Sequence, residues 1–143
     1  PRRTQFLQYA RPAGQPSHAY LPIVRRIYLP LLRLYNYTYQ ESCTRFAVVH
    51  SLDGYDEISL TADFKVAMPE KEKLYTPEML GFKRCTEADL DGGETPEEAA
   101  RIFDAVLGNR ATEAQKSCVI ANSAFAIQVI CPEKKIETCI ARQ

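Results

Sequence analysis

The chain has 143 residues, 18 basic against 18 acidic side chains and 45% apolar residues, the composition of one soluble globular domain with a real core. Its zero formal charge argues against a general nucleic-acid or membrane-surface binder. No apolar run approaches the roughly 20 residues of a membrane span, and no signal-peptide pattern is present. Five cysteines (Cys43, Cys85, Cys118, Cys131, Cys139) without a C-x-x-C pair, and only two histidines (His18, His50), argue against a zinc site or disulfide framework and point to reduced thiols in the cytoplasm.

The charge is unevenly spread. Residues 1–40 hold six arginines and no acid, while residues 41–143 hold the other 12 basic residues and all 18 acids, a net charge of −6. Five of the nine prolines lie in the first 30 residues. Residues 1–28 therefore read as an irregular basic leader, and residues 29–143 as the α/β part.

In chain order, a helix is expected from Pro30 to about Ser42, with Leu31, Leu32, Leu34 and Tyr35 inward. The apolar run Phe46-Ala47-Val48-Val49 reads as a buried parallel strand, broken at Asp53-Gly54. Phe64-Lys65-Val66-Ala67 and Glu72-Lys73-Leu74-Tyr75 are strand-like, separated by Pro69. Thr76-Pro77-Glu78 starts one helical turn. Asp89, Asp91 and Glu94 around Gly92-Gly93 read as an exposed loop. Thr95-Pro96-Glu97-Glu98 is a capping box with proline at the first helical position. Ala99, Ile102, Phe103, Val106 and Leu107 then form one apolar stripe, which stops at Gly108-Asn109. A second long helix is expected from the Thr112 cap to about Val129, apolar nearly all round and so buried on several sides. A third is expected from Pro132, with Ile136, Cys139 and Ile140 on one face, running to the end of the chain without a stop signal. This order suits part of an α/β domain, three-layered, with a mostly parallel sheet flanked by helices.

The segment V-V-H-S-L-D-G-Y-D-E-I-S, residues 48–59, carries the best candidate chemistry. Ligands of open α/β sheets bind beyond the carboxyl ends of strands, and this segment sets a glycine turn and three carboxylates there. Adjacent Asp56 and Glu57 can both reach one hard cation, with water and phosphate oxygens completing its shell, as magnesium is bound. A solvated acidic turn would read the same way, because D-G-x-D-E has no tight spacing rule. His50 fits a packed, hydrogen-bonded residue better than a proton carrier. Tyr35, Tyr37 and Tyr39 alternate along their helix, so all three cannot share a face. The cysteines look like small core residues.

R-F-A-V-V-H-S-L-D-G-Y-D-E-I-S-L at residues 45–60 closely resembles the metal-binding segment of the anthranilate phosphoribosyltransferase family. L-D-G-G-E-T-P-E-E-A-A-R-I-F-D-A-V-L-G at residues 90–108 and K-S-C-V-I-A-N-S-A-F-A-I at residues 116–127 resemble that family's following segments. The likeness runs from about Leu29 to the end. It implies transfer of phosphoribose from phosphoribosyl pyrophosphate to the amine of anthranilate, in tryptophan biosynthesis, with Mg2+ as cofactor held by Asp56 and Glu57. It implies a cytoplasmic enzyme, a homodimer in full-length form, with no nucleic-acid or membrane partner. The family's N-terminal helical region, its G-T-G-G-D pyrophosphate loop and its K-H-G-N-R segment have no counterpart in this chain. No catalytic residue carries over, and the chain reads as a C-terminal fragment expected to be inactive alone. Cys43 stands where the family usually has a helix-ending glycine, so a strained turn is expected there.

Arg3-Thr4 and Phe6 match the family's R-T-x-F before the chain departs from it, and Arg3 would then correspond to an anthranilate-contacting arginine. Displacing the codons of residues 7–28 by one base can restore the family's F-N-T-L-G-P-L-V-N and Q-S-F-G-V-Y stretches. Residues 7–28 therefore read as frame-shifted, with no evolved partner strand and poor order expected. A genuine basic arm is the alternative. Two other readings stay open: a related pyrimidine nucleoside phosphorylase-type enzyme on the same scaffold, and a non-catalytic protein whose basic arm grips an acidic partner.

Overall fold

The computed structural model describes residues 18–22, 29–42, 45–55, 57–69 and 71–141. Its elements are β1 (His18–Pro22), α1 (Leu29–Ser42), β2 (Arg45–Ser51), β3 (Phe64–Met68), β4 (Lys71–Tyr75), α2 (Pro96–Leu107), α3 (Glu113–Ile130) and α4 (Ile136–Ile140), with 3-10 turns at Pro77–Leu80 and Glu87–Leu90. The strands form one sheet in the order β1-β2-β3-β4.

The continuous apolar run of β2 is explained by burial on both faces. Alternate side chains of a strand point to opposite sides of the sheet. Ala47 and Val49 join the larger core with Phe64, Val66, Ala121, Phe125 and Val129. Phe46 and Val48 turn the other way, join Ala67, and are covered by Tyr35 and Tyr39 of α1. The domain is thus layered α1, sheet, α3. Tyr35 and Tyr39, one helical turn apart, stack at 6.0 Å, and Tyr39 leans on Phe46 at 5.9 Å. Tyr37 is 70% exposed.

The α/β class holds, but the expectation of a mostly parallel sheet is corrected. Among the described residues, β1 and β2 pair in parallel, whereas β2–β3 and β3–β4 are antiparallel, with Val48 opposite Ala67 and Phe64 opposite Tyr75. The connections explain this. Only residues 69 and 70 separate β3 from β4, too few for the crossover that parallel strands require. Among the described residues no helix lies between β2 and β3 to carry one either. The expected lack of a partner strand in the leader is also corrected, since His18–Pro22 pairs with β2. Residues 1–17 and 23–28, Arg3 among them, and Cys43 lie outside the described residues.

Thr95 and Glu98 cap α2 reciprocally, at 3.2 Å in each direction, with Pro96 at its first turn. Its left-handed stop is Asn109 (φ 54°) rather than Gly108. The apolar stripe is present but only partly covered: Ile102 and Val106 are half-buried, while Phe103 is 63% and Leu107 72% exposed, and no α2 residue is fully buried. Periodicity names the apolar face of a helix without supplying its cover. Leu34 is likewise outward, at 57% exposed, because α1 meets the sheet through Tyr35 and Tyr39. Thr112 and Gln115 cap α3 in the same reciprocal way. The last helix starts at Ile136 rather than Pro132. The intervening residues form a turn in which the Lys134 N–H donates to the Cys131 carbonyl and the Gln128 Nε2 donates to the Lys134 carbonyl. The loop expected around Asp89, Asp91 and Glu94 is exposed, and it opens with a 3-10 turn closed by the Thr86 N–H and Oγ1 donating to Asp89 Oδ2, both at 2.8 Å.

Phe125 centres the core. It packs edge-on against Phe64 at 6.0 Å and Tyr75 at 5.2 Å. Phe125→Ala is expected to destabilise the fold by about 3–5 kcal/mol, measured as a loss of urea-unfolding free energy.

Candidate functional site

The loop leaving β2 turns at once. Gly54 adopts φ 95°, open to glycine at no steric cost, and its N–H donates to the Ser51 carbonyl at 3.1 Å. The chain then returns as residues 57–60, which are anchored on three sides. Ser51 Oγ donates to the Glu57 carbonyl at 2.9 Å. Asn122, in the middle of α3, accepts from the Ile58 N–H at 3.0 Å and donates through Nδ2 to the Ile58 carbonyl at 2.9 Å. Cys118 and Cys85 direct their thiols at the Ser59 carbonyl, at 2.8 and 3.3 Å. The Cys85 N–H donates to the Leu60 carbonyl at 3.1 Å.

These contacts hold a strained residue. Leu60 has φ 60° and is fully buried. The left-handed region costs a residue with a Cβ about 1–2 kcal/mol, and such strain persists where the surroundings over-determine it.

The loop presents Glu57, whose side chain is exposed. Its sequence neighbour Asp56 lies outside the described residues, as does Arg3. Asp53, the third carboxylate of the segment, accepts the Thr61 hydroxyl. His50 is half-buried in β2 opposite Lys65. Among the described residues no three His, Cys, Asp or Glu side chains converge on a metal position. Magnesium held by one or two carboxylates, with water and phosphate oxygens filling its shell, needs no such cluster. An exposed carboxylate on an anchored backbone suits it.

Sequence reasoning did not assign roles to Asn122, Cys85, Cys118 or Arg84. Asn122 had a signal, being a side-chain amide in an otherwise apolar stretch of helix. Arg84 braces the far side of the loop, donating to Asp63 at 2.6 Å, to Glu78 at 3.3 Å and to the Thr61 carbonyl at 3.4 Å. The Asp63 carboxylate, first, raises the Arg84 guanidinium above its ordinary value. Burial, and then neighbouring Cys85, pushes the Cys118 thiol up to about 12. Cys118 is thus held as a thiol that donates to the Ser59 carbonyl.

A sheet covered on both faces, with an anchored acidic loop beyond the carboxyl end of an inner strand, defines an α/β domain. The chain belongs to the family described as the glycosyl transferase family, a/b domain, which matches residues 21–142. It is 76% identical over 113 residues to an anthranilate phosphoribosyltransferase of Bacteroides fragilis (strain YCH46), a match covering 79% of this chain and 34% of that protein. It is 71% identical over 113 residues to the protein of the same name from Bacteroides thetaiotaomicron, again 79% of this chain and 34% of the relative. The chain thus spans about a third of the length of the relatives it matches. The fold matches the crystal structure of anthranilate phosphoribosyltransferase from Thermus thermophilus with a TM-score of 0.73 at 22% identity, covering 83% of this chain and 36% of that one. It matches the Saccharomyces cerevisiae enzyme in complex with phosphoribosyl pyrophosphate and Mg with a TM-score of 0.66 at 19% identity, covering 84% of this chain and 35% of that one.

Two outcomes test the anchoring. Asn122→Ala leaves the Ile58 N–H and carbonyl without their partner. It is expected to cost about 1–3 kcal/mol per stranded buried group, read by chemical denaturation, with faster amide exchange at Ile58 than at Ala124. Cys118 gives a pH dependence. Its thiol ionises near 9.0 in the ordinary state and near 12 in the folded chain, so the folded state keeps a proton that the unfolded state releases. That contribution is present in full below pH 9 and is lost as pH rises toward 12. Cys118→Ala should flatten the alkaline fall in melting temperature. An unchanged fall would show that other groups cause it.

Proposed function

We propose that the chain is the late portion of an anthranilate phosphoribosyltransferase, which moves phosphoribose from phosphoribosyl pyrophosphate to the amine of anthranilate. The observation that carries this reading is the anchored loop at residues 57–60, presenting Glu57 beyond the carboxyl end of β2 in a chain 76% identical to a relative of that name. In this reading Asp56 and Glu57 hold Mg2+ and Arg3 contacts anthranilate. The metal, when bound, supplies positive charge against the departing pyrophosphate. The chain's own contribution is to hold its carboxylates in one place while substrates bind. The full-length form is proposed as a cytoplasmic homodimer without a nucleic-acid or membrane partner. Among the described residues no helix is long and apolar enough to cross a membrane, and the formal charge is zero.

Residues 7–28 are proposed to be frame-shifted. The high-identity match extends over 113 of the 143 residues, and the pairing of β1 uses main-chain groups that almost any sequence provides. Resequencing the gene tests this, and an unbroken reading of the present frame would overturn it.

Activity is tested in a chimera in which this chain's matching 113 residues replace those of the Bacteroides fragilis enzyme. The chimera is expected to turn over anthranilate with phosphoribosyl pyrophosphate. Glu57→Gln within it is expected to lower kcat/KM about 10–100-fold and raise the Mg2+ requirement. Phosphorolysis of pyrimidine nucleosides in place of that reaction would overturn the reading. The 143-residue chain alone is expected to show no turnover.

A further inference from the structure

Ser51 and Ser59 are buried, at 0% and 3% exposure, inside a core otherwise apolar. Their hydroxyls do not stand alone. Thr61 Oγ1 donates to Asp53 Oδ2. Thr61 Oγ1 lies 2.7 Å from Ser59 Oγ, which lies 3.2 Å from Ser51 Oγ, which donates to the Glu57 carbonyl at 2.9 Å. The main chain feeds the same row, since the Ser59 N–H donates to Ser51 Oγ and the Thr61 N–H to Ser59 Oγ, both at 3.3 Å.

Proton counting fixes both ends of the row. Three hydroxyls carry three protons. The Thr61 proton goes to Asp53 and the Ser51 proton to the Glu57 carbonyl, leaving the Ser59 proton to serve Thr61 or Ser51. Both ends are therefore committed to the acidic loop, one to a carboxylate and one to the peptide carrying Glu57. Asp53 in the outgoing limb and Glu57 in the returning limb are tied together through two buried serines and the half-buried Thr61, with the Asp53 end exposed.

We propose that Ser51 and Ser59 are positioning residues for the carboxylate of Glu57. They set its backbone relative to the end of β2, so that the loop meets a divalent cation with its ligand already placed. The inference rests on the reading of Glu57 as a metal-holding carboxylate. Neither serine touches the metal in this scheme: Ser51 acts through the Glu57 peptide and Ser59 through Ser51.

The test uses the 143-residue chain with Mn2+ alone as probe, bound Mn2+ being measured by electron paramagnetic resonance and displaced by Mg2+. Glu57→Gln, Ser51→Ala, Ser59→Ala and Ser51→Thr are compared at a temperature where circular dichroism shows each folded. Hydrogen exchange is followed at the Ile58 and Ser59 amides. Glu57→Gln is expected to abolish the site. Ser51→Ala and Ser59→Ala are expected to weaken Mn2+ binding about 10–100-fold with faster exchange at the loop amides, and Ser51→Thr, which keeps the hydroxyl, to restore both. If Glu57→Gln removes binding while both alanine variants bind as the unmodified chain does, the positioning proposal falls and the metal reading stands. If Glu57→Gln changes nothing, or the unmodified chain takes up no Mn2+, the metal reading falls and the proposal with it. Alanine variants that weaken binding without rescue by threonine would mark general loosening of the core, which also overturns the proposal.

Discussion

The exchange between the Asn122 side-chain amide and the Ile58 peptide sets the geometry around it. Ile58 is fully buried between the sheet and α3, where its N–H and carbonyl have no access to water. An unpaired group there costs about as much as a lost hydrogen bond. One side chain satisfies both. The orientation of that amide is determined, because Nδ2 faces two acceptors, the carbonyls of Ile58 and Cys118, while Oδ1 faces the one donor, the Ile58 N–H. Turning the amide over would set oxygen against oxygen. The register of the loop against the helix is therefore specified at one point, with the Cys118 and Cys85 thiols closing the next peptide and Ser51 the preceding one.

Much of the layered fold is legible in local pattern. The β2 run is apolar at consecutive positions, which announces a strand covered on both faces. The capping boxes at Thr95 and Thr112 announce two helix starts, since a hydroxyl and a carboxylate or amide three residues apart satisfy the first free N–H groups of a helix whatever surrounds it. What local pattern does not carry is partnership. The two strand-like stretches either side of Pro69 do pair, as their order suggests, but nothing local to them says that they run antiparallel. The stripe on α2 marks an apolar face but not what meets it. The sense of the sheet belongs to connection length and the presence of a crossover helix: the buried run does pair in parallel with β1, but the short β3–β4 link makes the rest of the sheet antiparallel.

The site divides along the same line. The Asp56-Glu57 pair, at the carboxyl end of a strand and followed by a matching family segment, is legible because it is contiguous. The groups that hold the backbone from Glu57 onward are not. Asn122 is 64 residues from Ile58, and Cys118 is 59 residues from the carbonyl it serves. The serine hydroxyls read as ordinary polar positions until the chain doubles back and sets them side by side. Ordinary propensity would also place no leucine at φ 60°. Only the assembled contacts explain why Leu60 is held there.

A buried hydroxyl is a poor choice for stability alone. Serine gains little from burial, and its desolvation must be offset by each hydrogen bond it makes. An apolar pair at positions 51 and 59 would fill the same space beside Ile58 and Leu60. It would lack directionality, because dispersion contacts tolerate small rotations of a peptide, whereas a hydroxyl within about 3 Å of a carbonyl fixes where that carbonyl points. The loop combines the two kinds of restraint. Ile58 and Leu60 anchor it by burial, and Ser51, Ser59, Thr61 and Asn122 orient it. In the role proposed for Glu57, a carboxylate meeting a divalent cation needs the second kind, since a magnesium ion's oxygen shell has little tolerance in distance or angle. Polar groups inside this core therefore make sense as the means by which the interior of the domain sets the direction of a side chain on its surface.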